Sequence, residues 1–192
     1  MDREPLPITE RDEQFLESYG LTPQRPIEFF SRRPELLVIF MLLSLGSYAL
    51  YWFYRNWDAV RKANGQKMWP LVRAIFAIFW AWPLFKLMVL QARARGSTST
   101  FSGGGLALFY ILPLLLAGTG SSGKDTFNVA IGGSIIASII AALALVTAQR
   151  LARFAQYART QEDMPYSPAG RWEGLFVLLF CVYPVLVGLL SK

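Results

Sequence analysis

Residues 36–53 run for 18 positions without a formal charge and then pass into a band of rings followed by a basic stretch. A helix of that length covers about 27 Å at 1.5 Å per residue, close to the ~30 Å hydrocarbon core of a bilayer. The run therefore reads as a membrane-spanning helix leaving the bilayer at Tyr48, Tyr51, Trp52, Tyr54 and Trp57. These are amphipathic rings of the kind enriched in the headgroup layer, and Arg55 sits among them where its charge reaches water. Pro34 suits a first helical position, and the helix is expected to continue past the rings to a stop at Gly65, with Asp58 and Lys62 paired at i, i+4.

Four more apolar runs follow. The second, near residues 70–90, carries Arg73 toward one end and Lys86 toward the other, both placed to snorkel, and Pro83 would kink it. Trp80 and Trp82 beside Pro83 leave a second geometry open, a hairpin that enters and leaves on one side. The third, near residues 105–118, contains Pro113. The fourth, near residues 129–148, has no aromatic residue and places Gly133, Ala137 and Ala141 at four-residue spacing beside Ser134, Ser138 and Ala142. Small residues at that period let helix backbones approach closely, which predicts the most protein-buried helix of the set. Residues 149–161 are expected to continue as an amphipathic helix lying in the interface, and residues 173–190 form a fifth run bent near Pro184. The expected architecture is an all-α, polytopic helical membrane domain over residues 34–192, with about five hydrophobic segments (36–54, 70–90, 105–118, 129–148 and 173–190) and interfacial helical extensions.

Residues 1–33 form a charged N-terminal tail, and residues 1–35 hold five arginines against eight acids. Within it Thr9 can cap a short helix, Phe15 and Tyr19 share a face at i, i+4, and Gly20 can close it. Such a helix either docks on the membrane domain or a partner, or frays as an isolated segment.

The charged fraction of 17% is below the ~25% of ordinary soluble domains, and 54% of the residues are hydrophobic, which excludes a soluble cytoplasmic enzyme. The net charge of +6 sits mostly beside apolar runs, so anionic headgroups rather than nucleic acid are its expected partner. Histidine is absent, which removes Ser-His-Asp and Cys-His catalysis and every His-ligated metal or haem. The single cysteine, Cys181, lies in an apolar run and excludes an intramolecular disulfide. Gly120 to Lys124 resembles a phosphate loop but continues with Asp125 instead of Ser or Thr and lacks a preceding strand, so no nucleotide or other cofactor is expected.

Basic residues near the membrane place the tail in the cytoplasm if all five segments span, nine against six. If the second segment is a hairpin, the count is ten against five with the tail outside. Unbroken apolar length, and the need to translocate a charged tail without a signal peptide, favour five spans.

Gly46, Tyr48, Tyr51, Trp52, Phe53, Tyr54, Arg55, Asn56 and Trp57, then Trp69, Pro70, Arg73 and Phe76, then Pro83 and Phe85, form a pattern of uncommon residues at fixed offsets. It resembles a family of small bacterial inner-membrane proteins of unknown function. The resemblance implies a bacterial inner-membrane address, and the family has no established activity to carry over; the apolar runs make the expected topology multi-pass.

The apolar runs contain no Asp or Glu before Glu173, so a non-enzymatic membrane protein acting on a protein or lipid partner, or as a homo-oligomer, is the expected class. A small transporter or channel is the alternative, because Pro-broken segments can offer backbone groups to a substrate, and a lipid-modifying enzyme is a third. Candidate contacts to a partner or lipid are Tyr48, Tyr51, Trp52, Tyr54, Arg55, Trp57 and Arg73, with Gly133, Ala137 and Ala141 as helix-packing positions. Asp58 and Glu173 flank apolar runs and are matched with Arg73 or Arg171 as pairing candidates.

Overall fold

A computed structural model describes residues 7–22, 27–65, 67–117, 126–160, 165–168, 173–176 and 178–179. The Gly120 to Lys124 stretch, Arg171, Cys181, the bend at Pro184 and most of the fifth apolar run lie outside the described residues. The described chain is all-α, with helices α1 (Glu10–Ser18), α2 (Pro34–Leu43), α3 (Tyr48–Asn64), α4 (Pro70–Ile75), α5 (Ala77–Arg93), α6 (Gly103–Ala117) and α7 (Thr126–Thr160).

The first apolar run is not one helix. It divides into α2 and α3 at a turn in which Leu45 and Gly46 take positive φ values of 48° and 89°. The Gly46 N–H closes the turn on the Met41 carbonyl at 2.7 Å. Ser44 ties the two helices together, since its hydroxyl donates to the Phe40 carbonyl and accepts from the Tyr48 N–H at 2.8 Å. At ten residues α2 covers only about 15 Å, half of a hydrocarbon core. Apolar content hid this break, because a left-handed turn needs only one or two permissive positions.

The second run is also divided, between α4 and α5, but at Phe76 and not at Pro83. Phe76 leaves helical geometry at φ −93°, ψ 39°, close to the Phe79 carbonyl that Pro83 deprives of its helical donor. Helix α5 then continues through Pro83, so a hairpin turning at residues 80–83 is not formed.

Helix α7 is the longest element, continuous for 35 residues. The segment expected to lie in the interface continues this helix, burying Leu151, Ala152 and Ala155. Ala137, Ala141, Ala142, Ala144 and Ala148 are buried, and α7 packs on α6, α5 and α2. The third small-residue position, Gly133, is not at a close contact: a Cβ placed there meets nothing within 4 Å. The glycine that does enforce proximity is Gly103, at the start of α6, where a Cβ would stand 2.5 Å from the Lys86 Cα. Helix α6 therefore starts against the backbone of α5, and any side chain at Gly103 would push the two apart.

The interior is a ring network. Trp52 and Phe53 contact Phe85, which with Phe53 contacts Tyr110 of α6. The tail helix completes it from outside. Asp12 accepts hydrogen bonds from the Thr9 hydroxyl and N–H and pairs with Lys86 at 3.0 Å. Phe15 meets Trp82 edge-on, and Tyr19 stacks on Trp57.

One described helical segment, Gly132–Ala158, is long and apolar enough to cross a membrane, and 61% of its apolar window is buried. The exposed surface is nevertheless apolar on several helices: Ile39 on α2, Ile75 on α4, Phe79 on α5, Leu108 and Leu112 on α6, and Ile136 on α7.

Candidate functional site

Most of the aromatic band expected to face headgroups or a partner is core. Tyr48, Trp52 and Trp57 are 0% exposed and Tyr51 is 7% exposed, so none of the first three offers a docking surface. The reason is geometric. With α2 ending at Leu43, α3 no longer climbs out of an apolar layer; it passes between α2, α4 and α5, and a 17-residue helix so surrounded buries rings on several faces. Tyr54 remains exposed and Arg55 half-buried.

Arg73 does not snorkel to solvent, and among the described residues it pairs with no acid. Its guanidinium carbon lies 4.4 Å from the Trp57 ring centroid, 4.3 Å from that of Trp80 and 5.6 Å from that of Tyr19. A cation held among three ring faces is attracted by their quadrupoles, an interaction strengthened by loss of water. Here it joins α1, α3, α4 and α5 at one point.

Glu173 pairs with Arg32, not with Arg73. The Arg32 Nε donates to Glu173 Oε1 at 2.9 Å, Nη2 donates to Oε2, and the Tyr48 hydroxyl donates to Oε1. Arg32 belongs to residues 27–33, an irregular and largely buried strap ahead of α2. Its main chain is held by Gln149 of α7, which accepts from the Arg32 N–H at 2.9 Å and donates to the Arg32 carbonyl. Ser31 and Ser167 exchange two more hydrogen bonds, and Arg32 Nη1 donates to the Ser167 carbonyl at 2.6 Å. These groups satisfy a buried charge pair in surroundings where an unpaired ion would be costly.

The ion pair positions the helical turn at residues 173–176, and that turn forms one wall of a groove of about 850 Å³. Leu175 and Phe176 line it with Leu50 and Tyr51 of α3 and Leu71 and Ile75 of α4, the Phe176 ring centroid lying 5.9 Å from that of Tyr51. At one end the lining changes from apolar to charged, with Tyr54, Arg55, Asp58 and Lys62 of α3. Beyond Arg55 a second cavity of about 320 Å³ shares Arg55, Asp58 and Lys62 and adds Glu28 and Phe30.

The charged end is unevenly matched. Asp58 is engaged by Arg61 at 2.5 Å and by Lys62 at 2.8 Å, the latter being the pair expected from the sequence. Arg55 donates to the Tyr51 hydroxyl at 2.9 Å and lies 4.7 Å from the Phe30 ring centroid. Among the described residues it has no carboxylate within ion-pair distance.

Of the residues singled out in the sequence, the structure brings Tyr51, Tyr54 and Arg55 to this groove, keeps Tyr48, Trp52 and Trp57 in the core, and cages Arg73. Reading the sequence alone missed Leu71, Ile75, Leu175 and Phe176 as groove walls and Arg32 as the partner of Glu173. A signal for the last existed, because a lone acid at the edge of an apolar run needs a cation, but 19 basic residues were available. Among the described residues no group of three or more His, Cys, Asp or Glu is placed to hold a metal. No family model matches the chain, and no curated protein or solved structure matches it.

Proposed function

We propose that this is an integral membrane protein that acts by holding an amphiphilic molecule in the groove between α3, α4 and residues 173–176. The observation that carries this reading is the groove's change of character along α3, from Leu50 and Tyr51 at one end of its lining to Arg55, Asp58 and Lys62 toward the other, with Leu71 and Ile75 of α4 and Leu175 and Phe176 as apolar lining. Its α4 wall is continuous with exposed surface, since Leu71 and Ile75 are each 59% exposed, an arrangement that suits entry from a surrounding apolar phase. Apolar side chains are also exposed on α2, α5, α6 and α7, which suits helices that meet an apolar phase.

The membrane arrangement we propose differs from five equal spans. Helix α7 crosses; α5 and α6, of 17 and 15 residues, cover about 25 and 22 Å and pack beside it; α2 and α4 enter to partial depth before their turns. The resemblance of residues 46–85 to small inner-membrane proteins supports a bacterial inner membrane as the setting. Binding is preferred to catalysis because the chain has no histidine and the charged groups at the groove are Arg55, Lys62 and a carboxylate, Asp58, already engaged by Lys62 and by Arg61 beside it.

A transport reading draws on the two broken helices, yet the first break is packed: the Ser138 Oγ stands 3.2 Å from the site of a Gly46 Cβ. Two measurements test the proposal. Carbonate and high-salt washing should leave the chain in membranes, and its release intact would overturn membrane integration. Organic extraction of the detergent-purified protein should yield about one lipid per chain, and Leu50→Trp, which fills the apolar end, should abolish it; a lipid-free wild type would overturn the binding reading.

A further inference from the structure

The groove's charged end defines which amphiphile it takes. We propose that it binds an anionic phospholipid, with the phosphodiester on Arg55 and an acyl chain between α3 and α4; this rests on the amphiphile-binding reading above. Arg55 is half-buried, and one of its five guanidinium donors is used by Tyr51, leaving the planar fork available to phosphate oxygens. Its placement over Phe30 holds the guanidinium in position before a ligand arrives, which lowers the ordering cost of binding.

Charge complementarity selects an anion over a zwitterion. Arg55, Arg61 and Lys62 lie at this end of α3 with Asp58 as the carboxylate among them, and Asp58 is already shared by Arg61 and Lys62. A zwitterionic lipid carries the same phosphodiester but would bring its ammonium beside Arg55, Arg61 and Lys62, a like-charge contact that an anionic headgroup does not make. Glu28 lines the adjoining cavity that shares Arg55 and does not line the apolar groove. The negative end of the α3 dipole is no obstacle, because its effect is confined to the last turn and Arg55 lies about 13 Å before Asn64.

The apolar end fits the rest of such a molecule. Leu50, Leu71, Ile75, Leu175 and Phe176 supply a wall along which an acyl chain can lie, and the 850 Å³ volume is within the usual range for small-molecule sites. An inorganic anion would use only the charged end and leave this wall empty.

The test uses the full chain, delipidated in a non-ionic detergent, with retained lipid counted by native mass spectrometry. The probes are phosphatidylglycerol, phosphatidylcholine and inorganic phosphate. One phosphatidylglycerol should be retained at least about tenfold more tightly than phosphatidylcholine, with phosphate unable to compete at millimolar concentration. Arg55→Gln should erase that preference while leaving weak retention of both lipids, and Leu50→Trp should abolish retention of both. Lys62→Gln, at a side chain 72% exposed, should reduce the preference by a few-fold and serves if Arg55→Gln does not fold. Equal retention of both lipids, lost in Leu50→Trp, would overturn the anion selectivity and leave amphiphile binding standing. Retention of neither lipid would remove both. Full competition by phosphate would assign the site to a free anion. A dimer broken by Leu50→Trp without lipid would assign the groove to a second copy.

Discussion

Arg32 and Glu173 stand 141 positions apart in the chain and form a buried ion pair, with Glu173 2% exposed and also accepting from Tyr48. The pair joins the strap ahead of α2 to the wall of the groove. Removing one partner leaves the other charge buried, which typically costs about 3–5 kcal/mol, whereas removing both substitutes apolar contact for a desolvated pair. Arg32→Met and Glu173→Leu should each lower the thermal midpoint in detergent by several degrees, and the double variant should recover most of the loss. Additive losses in the double variant would show that the two residues act independently.

The Arg73 cage predicts that charge alone is insufficient. Arg73→Lys keeps the cation but loses the plane that spans Trp57, Trp80 and Tyr19. A loss of about 1–2 kcal/mol is expected, with a change in tryptophan fluorescence. A wild-type midpoint and spectrum for Arg73→Lys would show that the rings do not select the guanidinium.

Close packing should be specific to Gly103 and Ala137. Gly103→Ala forces the start of α6 away from the Lys86 backbone and should cost about 1–3 kcal/mol. Gly132→Ala meets nothing within 4 Å and removes a helical glycine, so it should stabilise by up to about 1 kcal/mol. In the same way Ala137→Leu should destabilise and Ile136→Leu, at a side chain 61% exposed, should not. Unfolding curves of the four variants in one detergent decide this.

Docking of the tail helix should weaken in acid. Burial by itself would raise the Asp12 carboxyl, but hydrogen bonds from Lys86 and Thr9 outweigh it and hold the group below its ordinary value of 3.8. A carboxyl depressed in the folded state contributes stability that is complete above its unfolded value and is lost as pH falls through its folded value. The midpoint difference between wild type and Asp12→Asn should therefore be constant above about pH 5 and shrink at lower pH. A difference that does not change with pH would show that Asp12 acts through its shape and not its charge.

Helical class, the tail helix with its Phe15 and Tyr19 face, the Asp58–Lys62 pair and the small-residue character of α7 were legible in the sequence, because each depends on residues within a few positions of one another. The fate of the rings between Tyr48 and Trp57 was not. A Trp is equally compatible with a headgroup layer and with a protein core, and which it meets depends on whether a neighbouring helix covers it. That cover is set by the positive-φ turn at Leu45 and Gly46 and by the bend at Phe76, which redirect α3 and α4 against α2 and α5. The groove likewise assembles Arg55 from α3, Ile75 from α4 and Phe176 from the far end of the chain. Its chemistry was present in the sequence as scattered apolar and basic residues, but their juxtaposition comes from the Arg32–Glu173 pair and the packing of α4 on α3, tertiary contacts that no local periodicity encodes.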